Sequence, residues 1–296
     1  MSAHARSVST STLIASTGGV RIALHDFGGP DDPTAPILLF AHATGFHGRA
    51  WEPVASLLTD RYRCIAIDLR GHGVSDTPDD ASLSWRFMGD DVLAAVDSDL
   101  IGGRRDVHGI GHSLGCAALV LAASRRPGLL RSLWLYEPAI VGPAVIPRSG
   151  SSNPMVDRAL RRRASFASYD EALANFAGKP PLNELHPDAL AAYVRGGFAP
   201  QPDGTVTLRC TPAAEAAVFR GGDNSEAFEA LSTLDMPVAL VAGRPEALGP
   251  VTFVPSVLAQ LSRGTLVERR HLGHFGPLED PTGIGRDIAA WVEANR

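Results

Sequence analysis

The chain has 296 residues, of which 45% are hydrophobic and 20% are charged, a composition typical of a globular protein with a large core. Its formal net charge of −5 gives no general electrostatic attraction to nucleic acid or to an anionic membrane. Three scattered cysteines exclude a disulfide framework or a cysteine-based zinc site, and no apolar run is long enough for a membrane span or a signal peptide. We therefore expect a cytoplasmic protein that binds neither nucleic acid nor membrane. We also expect a monomer or a homodimer.

Short apolar and β-branched segments alternate with longer helical segments along most of the chain. This alternation is typical of a mainly parallel sheet flanked on both faces by helices. An antiparallel edge strand is predicted at 20–27, and parallel strands are predicted at 36–41, 63–68, 106–111, 132–137, 237–242 and 265–268. Helices are predicted at 114–123, 156–177, 187–194 and 281–294.

The alternation stops between residues 141 and 234, where helical segments punctuated by proline and glycine replace the strands. Because strands resume afterwards, we predict an α/β core at 13–140 and 235–296, a helical cap inserted at 141–234, and a flexible N-terminus at 1–12. A basic run within the insertion is predicted to be the solvated face of a helix without a function; it consists of Arg158, Arg161, Arg162 and Arg163.

Ser113 is the candidate nucleophile. It follows a predicted strand, precedes a predicted helix, and is flanked at two positions on either side by Gly111 and Gly115. A sharp strand-to-helix turn that lifts a serine above a sheet leaves no room for side chains at those two positions. The helix N-terminus would also place backbone N–H groups near a developing oxyanion.

A serine hydroxyl needs a base, and the imidazole of that base needs an acidic group to orient it. His274 is the candidate base, because it lies between two glycines just past the last predicted strand. Two carboxylates compete for the orienting role: Glu137 ends an apolar strand, where an ionisable group needs a partner, and Glu246 follows the next strand.

Four motifs together resemble the α/β-hydrolase superfamily. They are His42-Ala-Thr-Gly45, Asp68-Leu-Arg-Gly-His-Gly-Val-Ser75, Gly111-His-Ser-Leu-Gly115 and Gly273-His-Phe-Gly276, and they occur in the order found in that family. The resemblance implies the α/β-hydrolase fold with an inserted cap and the order nucleophile, acid, histidine. Many members carry an aspartate after the strand that follows the cap, and this chain has none there. Members similar to haloalkane dehalogenases and resorcylic lactone hydrolases carry a glutamate at the preceding strand end instead, which favours Glu137 over Glu246.

The resemblance also implies an oxyanion hole made by the backbone N–H groups of Thr44 and Leu114, with His42 bracing the loop of Thr44. The substrate pocket would lie between the cap and this loop. Apolar side chains placed to line it are Phe46, Trp51, Trp85, Tyr136, Ile140 and Phe166.

A serine nucleophile, a base and oxyanion donors are the components of acyl transfer, so we expect a carboxylic ester hydrolase. The expected substrate is a small to medium apolar ester or lactone, and no cofactor or metal is expected. Two other interpretations stay open. The same triad could cleave a carbon–carbon bond or a thioester, or act as a perhydrolase, and some proteins of this fold bind ligands or act as sensors.

Overall fold

The structure is a computed structural model that describes residues 10–142, 153–222, 224–245 and 249–296. The strands are β1 (Thr10–Ala15), β2 (Arg21–Gly28), β3 (Ile37–Ala41), β4 (Arg63–Asp68), β5 (Val107–His112), β6 (Ser132–Tyr136), β7 (Ser165–Phe166), β8 (Phe198–Pro200), β9 (Val206–Leu208), β10 (Val238–Ala242) and β11 (Gly264–Glu268). The α-helices are α1 (Glu52–Ala55), α2 (Trp85–Asp97), α3 (Leu114–Arg125), α4 (Pro154–Leu160), α5 (Tyr169–Ala177), α6 (Pro187–Gly197), α7 (Pro212–Arg220), α8 (Asn224–Ala230), α9 (Val254–Leu258), α10 (Gly276–Glu279) and α11 (Pro281–Ala294).

The main sheet of the described chain has eight strands in the order β1-β2-β4-β3-β5-β6-β10-β11. The two pairs that involve β2 are antiparallel, and the strands from β4 to β11 in this order are parallel. Strands β3, β5, β6 and β10 are buried along their whole length, because helices α2, α3 and α9 cover one face of the sheet and helices α1 and α11 cover the other. The predicted α/β-hydrolase fold with a mainly parallel sheet is therefore confirmed.

The register of the sheet brings several strand ends to one edge. Ala41 of β3 pairs with Gly111 of β5, and Tyr136 of β6 pairs with both His112 of β5 and Val241 of β10. The loops after these strands therefore meet above the carboxyl edge of the sheet, which is where open α/β sheets bind their ligands.

The first strands differ from the prediction. Residues 10–12, which we expected in a flexible terminus, belong to β1, and β1 pairs with β2 along its whole length. The predicted edge strand is therefore an inner strand, since β1 covers it. The β1 sequence is rich in serine and threonine and its side chains are mostly exposed, so it lacks the apolar pattern of a buried strand.

Between β6 and β10 the described chain contains helices α4 to α8 and a small antiparallel sheet of β7, β9 and β8. The small sheet was not expected in a helical insertion, and the helix predicted at 156–177 is wrong. It is divided by β7, because Ser168 starts α5 as a new helix by accepting a hydrogen bond from the Glu171 N–H at 3.1 Å. No helix in the described ranges is long and apolar enough to cross a membrane.

Candidate active site

Ser113 stands at the turn between β5 and α3 in a conformation that non-glycine residues rarely adopt. Its φ is 53° and its ψ is −111°, a strain that costs about 1–3 kcal/mol. The turn is held by its backbone: the Ser113 N–H donates to the Tyr136 carbonyl at 3.0 Å, and the Ser113 carbonyl accepts from the Cys116 N–H at 3.1 Å and from the Ala139 N–H at 3.2 Å. The sharp turn that we predicted from the glycine spacing is present.

Close backbone contacts explain both flanking glycines. A Cβ atom on Gly115 would lie 2.2 Å from the Ala41 carbonyl oxygen, and one on Gly111 would lie 2.9 Å from the Cα of Cys116. Backbone atoms of a central strand and of the helix cannot move aside cheaply. The two glycines are therefore required for the helix to start so close to the sheet.

Glu137, directly after β6, forms a buried pair with His274. The Glu137 Oε2 accepts from the His274 Nδ1 at 2.7 Å, and its Oε1 accepts from the Gly243 N–H at 2.9 Å. The side chain is 3% exposed, and its backbone has a φ of 42° with the N–H donating to the Val241 carbonyl at 2.9 Å. With Nδ1 as the donor, the His274 Nε2 is the unprotonated nitrogen and is free to accept a proton. The alternative acid, Glu246, lies outside the described residues.

The loop that carries His274 is fixed by two side chains for which the sequence did not predict this role. The His112 Nε2 donates to the His274 carbonyl at 2.8 Å, and the Tyr136 hydroxyl donates to the Gly273 carbonyl at 2.8 Å. Burial holds the pKa of His112 well below its ordinary value, so the ring is neutral and has one N–H to donate. No sequence pattern distinguishes these two roles from ordinary core packing.

The two predicted oxyanion donors lie on adjacent segments. Leu114 is the first residue of α3, so its N–H has no acceptor within the helix. Thr44 lies in the turn after β3, which is closed by a hydrogen bond from the Phe46 N–H to the Ala43 carbonyl at 3.1 Å. The contact of Gly115 with β3 keeps the start of α3 beside this loop, which we call the oxyanion loop (42–47).

His42 connects the oxyanion loop to the loop after β4. Its Nδ1 donates to the Ala43 carbonyl at 2.8 Å, and its Nε2 accepts from the Leu69 N–H at 3.1 Å. Burial, together with the neighbouring His72, lowers the pKa of His42 to about 3, so the ring stays neutral and keeps this pattern of one donor and one acceptor. His42 thus braces the loop of Thr44, as the sequence predicted.

Three polar side chains of the inserted segment meet at the oxyanion loop. Arg162 forms an ion pair with Glu215 of α7, and its Nη2 donates to the hydroxyl of Tyr193 of α6 at 2.5 Å. A Cβ atom on Gly45, whose φ is 77°, would lie 2.7 Å from the Glu215 Oε1 and 3.0 Å from the Arg162 Nη1. The prediction of a solvated surface is therefore wrong for Arg162, because the ion pair draws its side chain inward and leaves it only 20% exposed.

The model of the alpha/beta hydrolase family matches residues 38–285. The chain belongs to this family. Over 217 residues it is 29% identical to 2-(acetamidomethylene)succinate hydrolase of Mesorhizobium japonicum, with 73% of each chain covered. It is also 29% identical over 237 residues to pimeloyl-[acyl-carrier protein] methyl ester esterase of Methylococcus capsulatus, with coverage of 79% of this chain and 85% of the esterase.

Solved structures of alpha/beta hydrolases share the fold. The crystal structure of E-2-(acetamidomethylene)succinate hydrolase matches with a TM-score of 0.77 at 23% identity, covering 97% of this chain and all of the other. An esterase from Rhodococcus matches with a TM-score of 0.73 at 20% identity, covering 97% of this chain and 99% of the other. The relatives are hydrolases of several substrate types, so the family establishes hydrolase chemistry and leaves the bond to be cleaved undefined.

The side chains predicted to line the pocket of this hydrolase are all buried in packed cores. Trp51 and Tyr136 lie on one face of the main sheet, Trp85 and Ile140 on the other, and Phe46 and Phe166 in the core of the segment between β6 and β10. Phe46 also adjoins the loop of His274, with its ring centroid 5.2 Å from that of Phe275 and 4.8 Å from that of Tyr193. The structure thus gives all six packing roles, and their contact with substrate stays a prediction.

A metal centre would need several ligating side chains to converge. Within the described ranges of this hydrolase, no three His, Cys, Asp or Glu side chains are arranged so that they could hold a metal ion.

Proposed function

We propose that the chain is a serine hydrolase that cleaves a carboxylic ester through a covalent acyl-enzyme on Ser113. The observation that carries this proposal is the buried pairing of Glu137 with His274 at 2.7 Å, on the same edge of the sheet as a strained serine turn. A buried carboxylate that holds Nδ1 leaves Nε2 of the same ring as a base, which is the arrangement required for serine activation.

In the proposed reaction, the Ser113 hydroxyl attacks the ester carbonyl carbon while its proton moves to the His274 Nε2. The carbonyl oxygen becomes an oxyanion that accepts hydrogen bonds from the N–H groups of Thr44 and Leu114. The C–O bond to the alcohol then breaks, and the alcohol leaves with the proton from His274. A water molecule repeats the sequence on the acyl-enzyme and releases the acid, while Glu137 stabilises the imidazolium in both halves.

The choice of an ester or lactone over other acyl bonds is supported by the similarity to a methyl ester esterase. The expected apolar part of the substrate would pack against Phe46 and Phe275, whose rings lie next to that of His112. Neither side chain supplies a polar group to the reaction, so their role would be to exclude water and to position the carbonyl.

A fluorophosphonate probe tests the nucleophile directly. We expect labelling of the native protein at Ser113 and none of the Ser113→Ala variant or of the denatured chain. Ser124→Ala is a matched control in the same helix, since the Ser124 hydroxyl donates to the Leu121 carbonyl and lies three turns from the site. Native protein that takes up no probe would overturn the proposal. Hydrolysis of p-nitrophenyl esters of rising chain length would then define the size of the acyl pocket.

A further inference from the structure

The polar cluster above the oxyanion loop brings together three parts of the inserted segment. Arg162 follows α4, Tyr193 lies in α6 and Glu215 lies in α7, and the three side chains meet at Gly45. We call these three side chains the Arg162 cluster. Because Gly45 adjoins Thr44, the cluster stands one residue from a proposed oxyanion donor.

The Arg162 cluster has more donors than acceptors. A guanidinium has five N–H groups, and the hydrogen bonds of Arg162 use two of its nitrogens, one toward Glu215 and one toward Tyr193. The Tyr193 hydroxyl accepts from Arg162, so its own hydrogen remains available, and it has no acceptor among the described residues. The Arg162 side chain is 20% exposed and the Tyr193 residue is 2% exposed, so the unused donors are largely shielded from bulk water.

A carboxylate fits such a set of donors. It has two oxygens that accept bidentate hydrogen bonds from a guanidinium, and a partly dry environment strengthens these bonds. Glu215 already uses one part of the guanidinium, and the remaining N–H groups and the Tyr193 O–H can serve a second anion. An uncharged apolar group at the same place would leave these donors without acceptors, which costs free energy.

The position of the cluster indicates which part of the substrate it would meet. The leaving alcohol must face His274, because that ring returns the proton to it. The carbonyl oxygen must face the N–H groups of Thr44 and Leu114. A group next to Gly45 adjoins the donors of the carbonyl oxygen, and on this ground we place it beside the acyl part of the ester.

We infer that the Arg162 cluster is a subsite for a carboxylate at the far end of the acyl group, so the preferred substrate is an ester of a dicarboxylic acid. The inference rests on the proposed function and adds a charged end to the expected apolar substrate. Arg162 supplies the charge, Tyr193 supplies a second donor, and Glu215 holds the guanidinium in place.

A kinetic comparison tests the subsite. Mono-p-nitrophenyl esters of succinic, glutaric and adipic acid are compared with the same esters methylated at the free carboxyl, which removes the charge and keeps the chain. For the wild type we expect kcat/KM to favour the charged ester by about tenfold or more at one chain length, mainly through KM, because a charged acceptor forms stronger hydrogen bonds than a neutral one.

Substitutions of the two partners of the ion pair should change the preference for the charged ester in opposite directions. Arg162→Gln should lower the preference for the charged ester by about tenfold, because it removes the cation. Glu215→Gln should raise it, because Arg162 then lacks its counterion and gains more from a substrate carboxylate. Arg163→Gln, which removes a neighbouring arginine paired with Glu171, should leave the preference unchanged. If the ion pair were purely structural, Arg162→Gln and Glu215→Gln would change the preference for the charged ester in the same direction.

A binding measurement separates this inference from the proposed function. Calorimetry of the Ser113→Ala variant with glutarate and with glutaramide measures recognition of the carboxylate without turnover. Glutarate binding that is lost in the double variant with Arg162→Gln supports the subsite even if no ester is hydrolysed. Two results together would overturn the inference. The wild type would hydrolyse the esters with no preference for charge at any of the three chain lengths, and the Ser113→Ala variant would bind glutarate and glutaramide with equal affinity. Neither result requires the Arg162 variants to fold.

Discussion

Glu137→Gln is the sharpest test of the triad, because the buried carboxylate accepts from two donors. Its oxygens accept from the His274 Nδ1 at 2.7 Å and from the Gly243 N–H at 2.9 Å. A glutamine has one acceptor oxygen and one NH2 group, so it cannot satisfy both. If its oxygen faces Gly243, the NH2 group forces the imidazole to carry its proton on Nε2, which is the tautomer that cannot accept the serine proton.

We therefore expect Glu137→Gln to lower kcat by about 10⁴-fold, the loss typical of the wrong histidine tautomer, which corresponds to about 5.4 kcal/mol of transition-state stabilisation. The assay is steady-state hydrolysis of p-nitrophenyl butyrate, with circular dichroism to check the fold. Glu246→Gln is the control and should change kcat little. A larger loss in Glu246→Gln than in Glu137→Gln would refute the assignment of the acid.

Gly243→Ala would place a methyl group 2.6 Å from the Glu137 Oε1; it should displace the carboxylate and lower kcat at least tenfold, and unchanged kinetics would contradict this geometry. Gly115→Ala would place a methyl group 2.2 Å from the Ala41 carbonyl oxygen; we expect a lower melting temperature, with a loss of stability of about 1–3 kcal/mol or more, and a wild-type melting curve would be inconsistent with the tight turn. Burial lowers the pKa of His47 to about 4, so below pH 6.5 the unfolded chain binds a proton that the folded chain excludes. As the pH is lowered from about 6.5 to about 4, the free energy of unfolding should therefore decrease, by about 1.4 kcal/mol per pH unit for this residue. In urea titrations, the free energy of unfolding of His47→Gln should decrease less steeply over this pH range than that of the wild type.

The parts of the site that the sequence predicts are those fixed by short-range sterics. Gly111 and Gly115 are required by contacts within a single strand-turn-helix unit and with β3, so their spacing around Ser113 indicates the turn before any tertiary structure is known. His274 was predicted for a similar reason, since flanking glycines allow its loop to approach closely: a Cβ atom on Gly276 would lie 2.0 Å from the Tyr136 hydroxyl oxygen.

The features that the sequence did not predict depend on contacts between distant segments. The sequence of an arginine run is the same whether its side chains are solvated or buried. The burial of Arg162 depends on its ion pair with Glu215, which lies 53 positions away in the chain. The start of α5, in contrast, has a signal in the sequence itself. Ser168 and Glu171 have the spacing of a helix N-terminal capping box, which would have indicated that α5 starts anew within the long predicted helix.

The position of Glu137 has a consequence for protein engineering. The proposed nucleophile and acid come from consecutive strands of the chain, and a hydrogen bond from the Ser113 N–H to the Tyr136 carbonyl ties their two turns together. The loop after β10 contributes the Gly243 N–H to the acid. Libraries that alter substrate choice should therefore keep the turns after β5 and β6 unchanged, and Gly243 with them.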